Sequence, residues 1–212
     1  MSQKKKISKA VVSRLPRYYR YLGECIRNGV DRISSEELGR KMHITASQIR
    51  QDFNNFGGFG HQGYGYNIEY LYGEIGKILG LEKPHQLGII GAGHIGYAIA
   101  VSAELERQGF FVNAIFDKDE EKIGAKILEN TILSIDNLEE ELQNKEIDIA
   151  VICVPKSVAQ LITNRVVEAG IKAIWNFANW DINVPDDVVV ANEHFADTLM
   201  RITFRMAEKD NI

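Results

Sequence analysis

Three glycines at Gly-x-Gly-x-x-Gly spacing, Gly91-Ala92-Gly93-His94-Ile95-Gly96, stand between the apolar run Leu87-Gly88-Ile89-Ile90 and the helical stretch Tyr97-Ala98-Ile99-Ala100-Val101-Ser102. Strand, glycines and helix in that order form a phosphate-binding turn. Gly91 permits the tight bend, Gly93 lets a pyrophosphate approach the backbone, and Gly96 lets the helix pack on the strand. Ala92, His94 and Ile95 complete a loop that lies against phosphates at the positive end of the helix. The next strand, Phe110-Phe111-Val112-Asn113-Ala114-Ile115-Phe116, ends in Asp117, 21 residues past Gly96. A carboxylate there accepts hydrogen bonds from adenosine ribose hydroxyls and repels a 2′-phosphate, which favours NAD(H) over NADP(H); the adjacent Lys118 works against that exclusion.

The run Ile147 to Pro155 reads as a buried parallel strand leading into a loop, and Ala173 to Ala178 as another, with an amphipathic helix from Ser157 to Ala169 between them. Loops at the carboxyl ends of such strands face the ligand crevice, placing Val154, Pro155, Asn176, Phe177 and Ala178 near the nicotinamide half. Core packing explains Val154 and Phe177 equally well.

A second set of polar residues lies nearer the N-terminus. Ser34 caps a short helix with Glu37 three residues on, and Thr45 caps another with Gln48 reaching back. The tight connection Lys41-Met42-His43-Ile44 between them gives the spacing of a helix-turn-helix, preceded by a helix that begins near Leu15 at Pro16 and ends at Asn28-Gly29. The second capped helix, ending at Gly57-Gly58, turns Ile49, Phe53 and Phe56 inward and presents Ala46, Ser47, Gln48, Arg50 and Gln51 outward. Gln suits adenine and Arg suits guanine in a major groove; the same residues also suit a plain solvated face. The segment from Gly57 to Tyr66 then alternates glycine with aromatic and polar residues. It reads as a small hairpin, a wing with His61 and Gln62 at its tip for sugar-phosphate contact, with a Gly-rich linker as the alternative.

Charge separates the two regions. Residues 1–83 carry 14 Lys+Arg against 8 Asp+Glu, and residues 84–212 carry 11 against 21, within a net charge of −4 over 212 residues. A polyanionic partner is compatible with the first part only, with a plain solvated basic face as the alternative that charge alone leaves open. Hydrophobic residues at 45% and charged residues at 25% describe an ordinary globular chain. Cys25 and Cys153, far apart and outside any Cys/His cluster, support neither a disulfide framework nor a zinc site, so no metal is expected. Met1 to Lys6 and the residues after it are too short and too charged for a signal-peptide core or membrane span, which points to the cytoplasm with no membrane association. The expected class is α/β: a winged helix-turn-helix with linker over 1–83, a Rossmann-like NAD(H)-binding domain over 84–191, and a C-terminal helix over 192–212. That helix carries Phe195, Leu199, Ile202 and Met206 on one face, with Met200, Thr203 and Phe204 widening it, so it is expected to bury against a second molecule by packing or swapping. No spare length remains for a substrate domain, and His94 and His194 read as structural or cofactor-adjacent rather than as proton shuttles. A regulator is therefore favoured over the alternative, a small NAD-dependent dehydrogenase with an N-terminal regulatory domain.

The chain resembles, from end to end, the Rex family of redox-sensing transcriptional repressors. The resemblance is carried by Arg14-Leu15-Pro16-Arg17-Tyr18-Tyr19-Arg20-Tyr21-Leu22, Thr45-Ala46-Ser47-Gln48-Ile49-Arg50-Gln51-Asp52-Phe53, Gly63-Tyr64-Gly65-Tyr66 and Gly91 to Gly96. It implies a homodimer that binds palindromic operator DNA, senses the NADH/NAD⁺ balance and releases DNA when NADH binds. It adds Arg14 and Thr45 to the DNA-binding set of Ser47, Gln48, Arg50, Gln51, His61 and Gln62. It further implies exchanged C-terminal helices, with Phe195 of each subunit near the nicotinamide of the other. Two departures accompany it. Ser102 and His194 stand where some members pair a Tyr with an acid across the dimer, and Phe177-Ala178-Asn179 replaces the usual Phe-Ala-Pro.

Overall fold

Pro16 decides where the first long helix begins. It lacks an N–H to donate, so it is tolerated in the first turn, where that group would have no intrahelical partner. A short helix α1 (Lys9–Val12) accordingly precedes α2 (Leu15–Arg27), which stops at Asn28 with Gly29 at φ 69°. The computed structural model describes residues 9–54, 60–61 and 65–210, and two compact units divide at Lys83 and Pro84.

In the first unit β1 (Arg32–Ile33) leads to α3 (Ser35–Met42) and α4 (Ala46–Asn54). Both helices are capped as their sequences require: Ser34 Oγ accepts from the Glu37 amide at 3.0 Å, and Thr45 Oγ1 from the Gln48 amide at 3.1 Å. The turn between them is close enough that a Cβ on Gly39 would lie 2.7 Å from the Ile44 carbonyl oxygen. Next come β2 (Gly60–His61), β3 (Gly65–Asn67) and α5 (Ile68–Leu79). The three strands form an antiparallel sheet in the order β1-β3-β2, with His61 opposite Gly65. The hairpin expected of a wing is thus present; Phe56, Gly57-Gly58 and the tip residue Gln62 lie outside the described residues.

Helix α5 was not anticipated. Asn67 Oδ1 caps it through the Tyr70 amide at 2.8 Å, and Ile68, Leu71 and Ile75 repeat at helical spacing and are fully buried. They join Leu15, Tyr18 and Leu22 of α2 in one core, and the rings of Tyr19 and Tyr72 stack at 4.1 Å between the two helices.

The second unit runs β4 (His85–Ile90), α6 (His94–Ala100), α7 (Ala103–Arg107), β5 (Phe110–Asp117), β6 (Lys126–Ile127) and β7 (Asn130–Ser134). A 3₁₀ turn (Ile135–Asn137) precedes α8 (Leu138–Asn144), β8 (Ile149–Ile152), α9 (Lys156–Glu168), β9 (Ala173–Asn176), β10 (Val189–Asn192) and α10 (Phe195–Asp210). The seven-stranded sheet has the order β10-β9-β8-β4-β5-β7-β6, parallel except at β6. This is the doubly wound Rossmann order, and its strand sequence reverses between β4 and β8. Neighbouring residues feed opposite faces: Ile90, Phe116 and Ile152 pack in one core, Ile89, Ile115 and Val151 in the other. One expectation is corrected here. The first helix after the glycines does not run to Ser102; it ends at Ala100, and Ser102 is the cap of α7.

Helix α10 leaves its apolar surface bare. Phe195, Leu199, Met200, Ile202, Phe204 and Met206 are all exposed, far more contiguous apolar surface than isolated surface residues account for. Among the described residues, no helix is long and apolar enough to cross a membrane, and no group of His, Cys, Asp and Glu could hold a metal ion.

Candidate functional site

The crevice lies at the carboxyl ends of β4 and β8, and its three glycines have three different reasons to be there. Gly91 sits at φ 105°, and a Cβ on it would lie 2.6 Å from the Cys153 carbonyl oxygen. A Cβ on Gly96 would lie 2.0 Å from the Gly91 carbonyl oxygen. Gly93, in contrast, is exposed at the start of α6, and a Cβ there would meet nothing within 4 Å. The first two glycines let the strand ends and the helix close up; the third faces open space. That opening fits a pyrophosphate brought against the backbone.

Asp117 ends β5 beside this loop. Its Oδ2 accepts from the Ala92 amide at 2.8 Å and its Oδ1 from the Asp119 amide at 3.0 Å. Burial pushes its pKa upward, but these backbone donors and the Lys122 ammonium outweigh that effect, and the net shift is downward. The carboxylate is thus held ionised at the rim where a ribose is expected. The cation near it is Lys122, with Nζ 3.3 Å from Asp117 Oδ2 and 3.5 Å from Asp119 Oδ2, not the exposed Lys118. His94 opens α6 and is exposed; Ile95 is half-buried against the core.

On the far side of the switch point, Val154 is half-buried against the core and Pro155 caps α9. Burial pushes the Cys153 thiol up to about 12, so it is not a thiolate nucleophile at neutral pH. Asn176, at the carboxyl end of β9, is buried and braces the neighbouring loop. Its Nδ2 donates to the Trp180 carbonyl and to Asn192 Oδ1, both at 2.8 Å, and its Oδ1 accepts from the Ala178 amide. Phe177 remains partly accessible in an aromatic series, with Trp175 at 4.6 Å and Phe195 at 6.2 Å between ring centroids. Phe195 is 65% exposed. Just before it, His194 Nε2 lies 2.9 Å from Asp181 Oδ1, and this hydrogen bond raises the imidazole pKa.

In the first unit, α4 buries Ile49 and Phe53 and exposes Ser47, Arg50 and Gln51, as its periodicity requires. One side chain departs from expectation. Gln48 does not reach back to its cap; its Nε2 donates forward to Asp52 Oδ1 at 2.8 Å. Arg14 Nε and Nη2 form a bidentate pair with Asp52 at 2.7 Å each, leaving 24% of the side chain exposed. Thr45 Oγ1 is engaged as the cap. Arg50 is half exposed but tethered, its Nη1 donating to Ser35 Oγ at 2.8 Å and Glu36 Oε1 at 3.2 Å. Sequence reasoning missed Asp52 itself, which is fully buried and also accepts from Tyr18 Oη at 2.7 Å. Local spacing shows only that Arg14 and Tyr18, and Gln48 and Asp52, are i, i+4 pairs; the pairing between the two segments leaves no local signal.

A helix-turn-helix unit with a hairpin and a Rossmann unit with an open glycine crevice define a class, a DNA-binding regulator joined to a dinucleotide-binding domain. Residues 6–54 match the family model described as a putative DNA-binding protein N-terminus, and residues 82–180 the CoA binding domain. The redox-sensing transcriptional repressor Rex of Thermoanaerobacter pseudethanolicus is 51% identical over 99% of this chain and 94% of its own. That of Clostridioides difficile is 52% identical over 96% and 97%. A crystal structure of RSP in complex with β-NAD⁺ and operator DNA is 50% identical with a TM-score of 0.89, covering 96% of this chain and 94% of that one. RSP in complex with β-NADH gives 47% and 0.86, covering 97% and 96%. The chain belongs to the Rex family of redox-sensing transcriptional repressors.

Proposed function

We propose that this chain is a homodimeric repressor that binds palindromic operator DNA and leaves it when NADH binds. The observation that carries the reading is that one chain holds both a capped helix exposing Ser47, Arg50 and Gln51 and a glycine crevice beside Asp117 that is open at Gly93. Ser47, Gln48, Arg50 and Gln51 would face bases. Arg14 supports that helix from behind through Asp52, and Thr45 holds its first turn. The hairpin would bring His61 and Gln62 to the sugar-phosphate backbone.

In the second unit the loop from Gly91 to Gly96 would hold the pyrophosphate, with Ala92, His94 and Ile95 supplying backbone between the glycines. Asp117 would receive the adenosine ribose, and Val154, Pro155, Phe177 and Phe195 would line the nicotinamide end. The dinucleotide supplies redox information as charge, since its nicotinamide ring is cationic when oxidised and neutral when reduced. Apolar side chains such as Phe177 and Phe195 disfavour an unpaired cation and so prefer the reduced ring. Exchange of α10 between subunits would cover its bare apolar face and supply the two-fold symmetry that paired half-sites need. NADH then shifts the population between two dimer states in proportion to its differential affinity for them.

The dinucleotide thus acts as a signal rather than as a reactant, in a cytoplasmic regulator. Operator release titrated with NADH and with NAD⁺ tests this: NADH is expected to be the stronger effector, and equal potency rejects the reading. Turnover of NADH with small carbonyl compounds would favour a dehydrogenase instead.

A further inference from the structure

Gln48, one of the proposed base readers, and the buried Asp52 lie one turn apart on α4, joined by the hydrogen bond from Gln48 Nε2 to Asp52 Oδ1. We propose that Asp52 is a positioning residue for base recognition, fixing the direction in which the Gln48 carboxamide presents its donor and acceptor. The inference rests on the helix-turn-helix reading above.

A carboxylate offers about four lone-pair directions, and Asp52 has all four occupied. Oδ2 accepts from Arg14 Nε and Tyr18 Oη; Oδ1 accepts from Arg14 Nη2 and Gln48 Nε2. Turning the Gln48 amide over would set its Oε1 against Oδ1, two acceptors with no proton between them, beside a group fully removed from solvent. The amide therefore has one favoured orientation. With the Nε2 hydrogen anti to Oε1 held by Asp52, the syn hydrogen and Oε1 are left side by side on the opposite edge. That donor–acceptor pair complements N7 and the N6 amino group of adenine. Arg50, by comparison, is held by Ser35 and Glu36, so the two readers are fixed by different partners. Because Tyr18 lies in α2 and Arg14 immediately precedes that helix, the presentation of Gln48 is set from outside its own helix.

The test uses the full chain. Selection from random duplexes identifies a preferred site, and each base pair of it is then varied for the wild type, Asp52→Asn, Gln48→Ala and the double variant. Asparagine offers an NH₂ in place of one carboxylate oxygen, and with that NH₂ at the Oδ1 position, beside the Tyr18-bound oxygen at Oδ2, it favours the reversed Gln48 amide. Asp52→Asn is expected to lose tenfold or more of the discrimination at one A·T position in each half-site. Binding to unrelated duplex should change by less than twofold. In the Gln48→Ala background the same substitution should add less than twofold. Loss that is even across all positions, or equal in both backgrounds, overturns the inference. Should Asp52→Asn not fold, the free wild type supplies the reading by ¹⁵N-edited NMR, with the Gln48 amide assigned by its loss in Gln48→Ala. One proton shifted downfield and slow to exchange supports the proposal, and an amide like those of exposed glutamines overturns it. A wild type with no preferred duplex overturns the helix-turn-helix reading and the inference together.

Discussion

Asp117 Oδ2 accepts a hydrogen bond from the Ala92 amide at 2.8 Å, so the acid at the end of β5 fastens the glycine loop of its own chain. Asp117→Ala removes both that fastening and the acceptor for a ribose. NADH affinity, followed by fluorescence titration, is expected to fall at least tenfold, about 1.4 kcal/mol. Lys122→Ala, which withdraws the ammonium 3.3 Å from the same carboxylate, is expected to raise the preference for NADH over NADPH.

The glycines separate folding from binding. Gly93→Ala adds a methyl group that meets no protein atom within 4 Å, so thermal melting should be nearly unchanged while NADH affinity falls tenfold or more. Gly96→Ala puts its methyl 2.0 Å from the Gly91 carbonyl oxygen and should lower stability by about 1–3 kcal/mol in urea unfolding, or prevent folding.

Arg14 tests stability rather than contact. Arg14→Met leaves the buried Asp52 carboxylate without its ion partner, a change that costs about 3–5 kcal/mol in fully buried pairs. Since Arg14 keeps 24% of its side chain in solvent, the lower end, about 3 kcal/mol, is expected. Urea unfolding followed by circular dichroism measures it.

Asp52 also sets an acid response. Burial would raise its pKa, but hydrogen bonds from Arg14, Tyr18 and Gln48 and the Arg14 charge lower it overall. A group whose folded pKa is depressed contributes stability that is fully present above its unfolded value of about 3.9 and is lost as pH falls through the folded value. The stability of Asp52→Asn should therefore be lower at neutral pH and decline less steeply below about pH 4 than that of the wild type. The comparison is made by urea midpoints across the acid range.

Helix α10 gives an assembly test. Leu199→Glu with Phe204→Glu places two charges on its bare apolar face. Sedimentation is expected to show monomers, with operator binding lost and circular dichroism of the remaining elements retained.

Local punctuation was readable in the sequence wherever it acts over a few residues. Pro16, Ser34 and Thr45 mark helix starts, and the structure begins helices at Leu15, Ser35 and Ala46. The glycine spacing and Asp117 are legible for the same reason, since turn and strand end are set locally. Helix α5 was legible but overlooked: Asn67, then Ile68, Leu71 and Ile75, then Gly80 at φ 76° follow capping and periodicity rules, but stand beside a glycine-aromatic hairpin. Strands β1 and β6, two residues each, carry too little pattern to read. Asp52 was hidden because a charged residue on an amphipathic helix reads as solvated; its burial follows from Arg14, Tyr18 and Gln48, two of which lie more than 30 positions away. Lys122 displaced Lys118 because the chain turns after Asp117, an event that adjacency in sequence does not disclose.

The unequal demands on Gly91, Gly93 and Gly96 carry a lesson about descent. Two of the three are enforced by the polypeptide against itself, and a lineage that abandoned its coenzyme would have to keep them merely to remain folded. A Cβ at position 93 meets nothing inside the molecule. A descendant bearing a bulky residue there, with its neighbours unaltered, would record the loss of the small molecule while preserving its ancestor's shape.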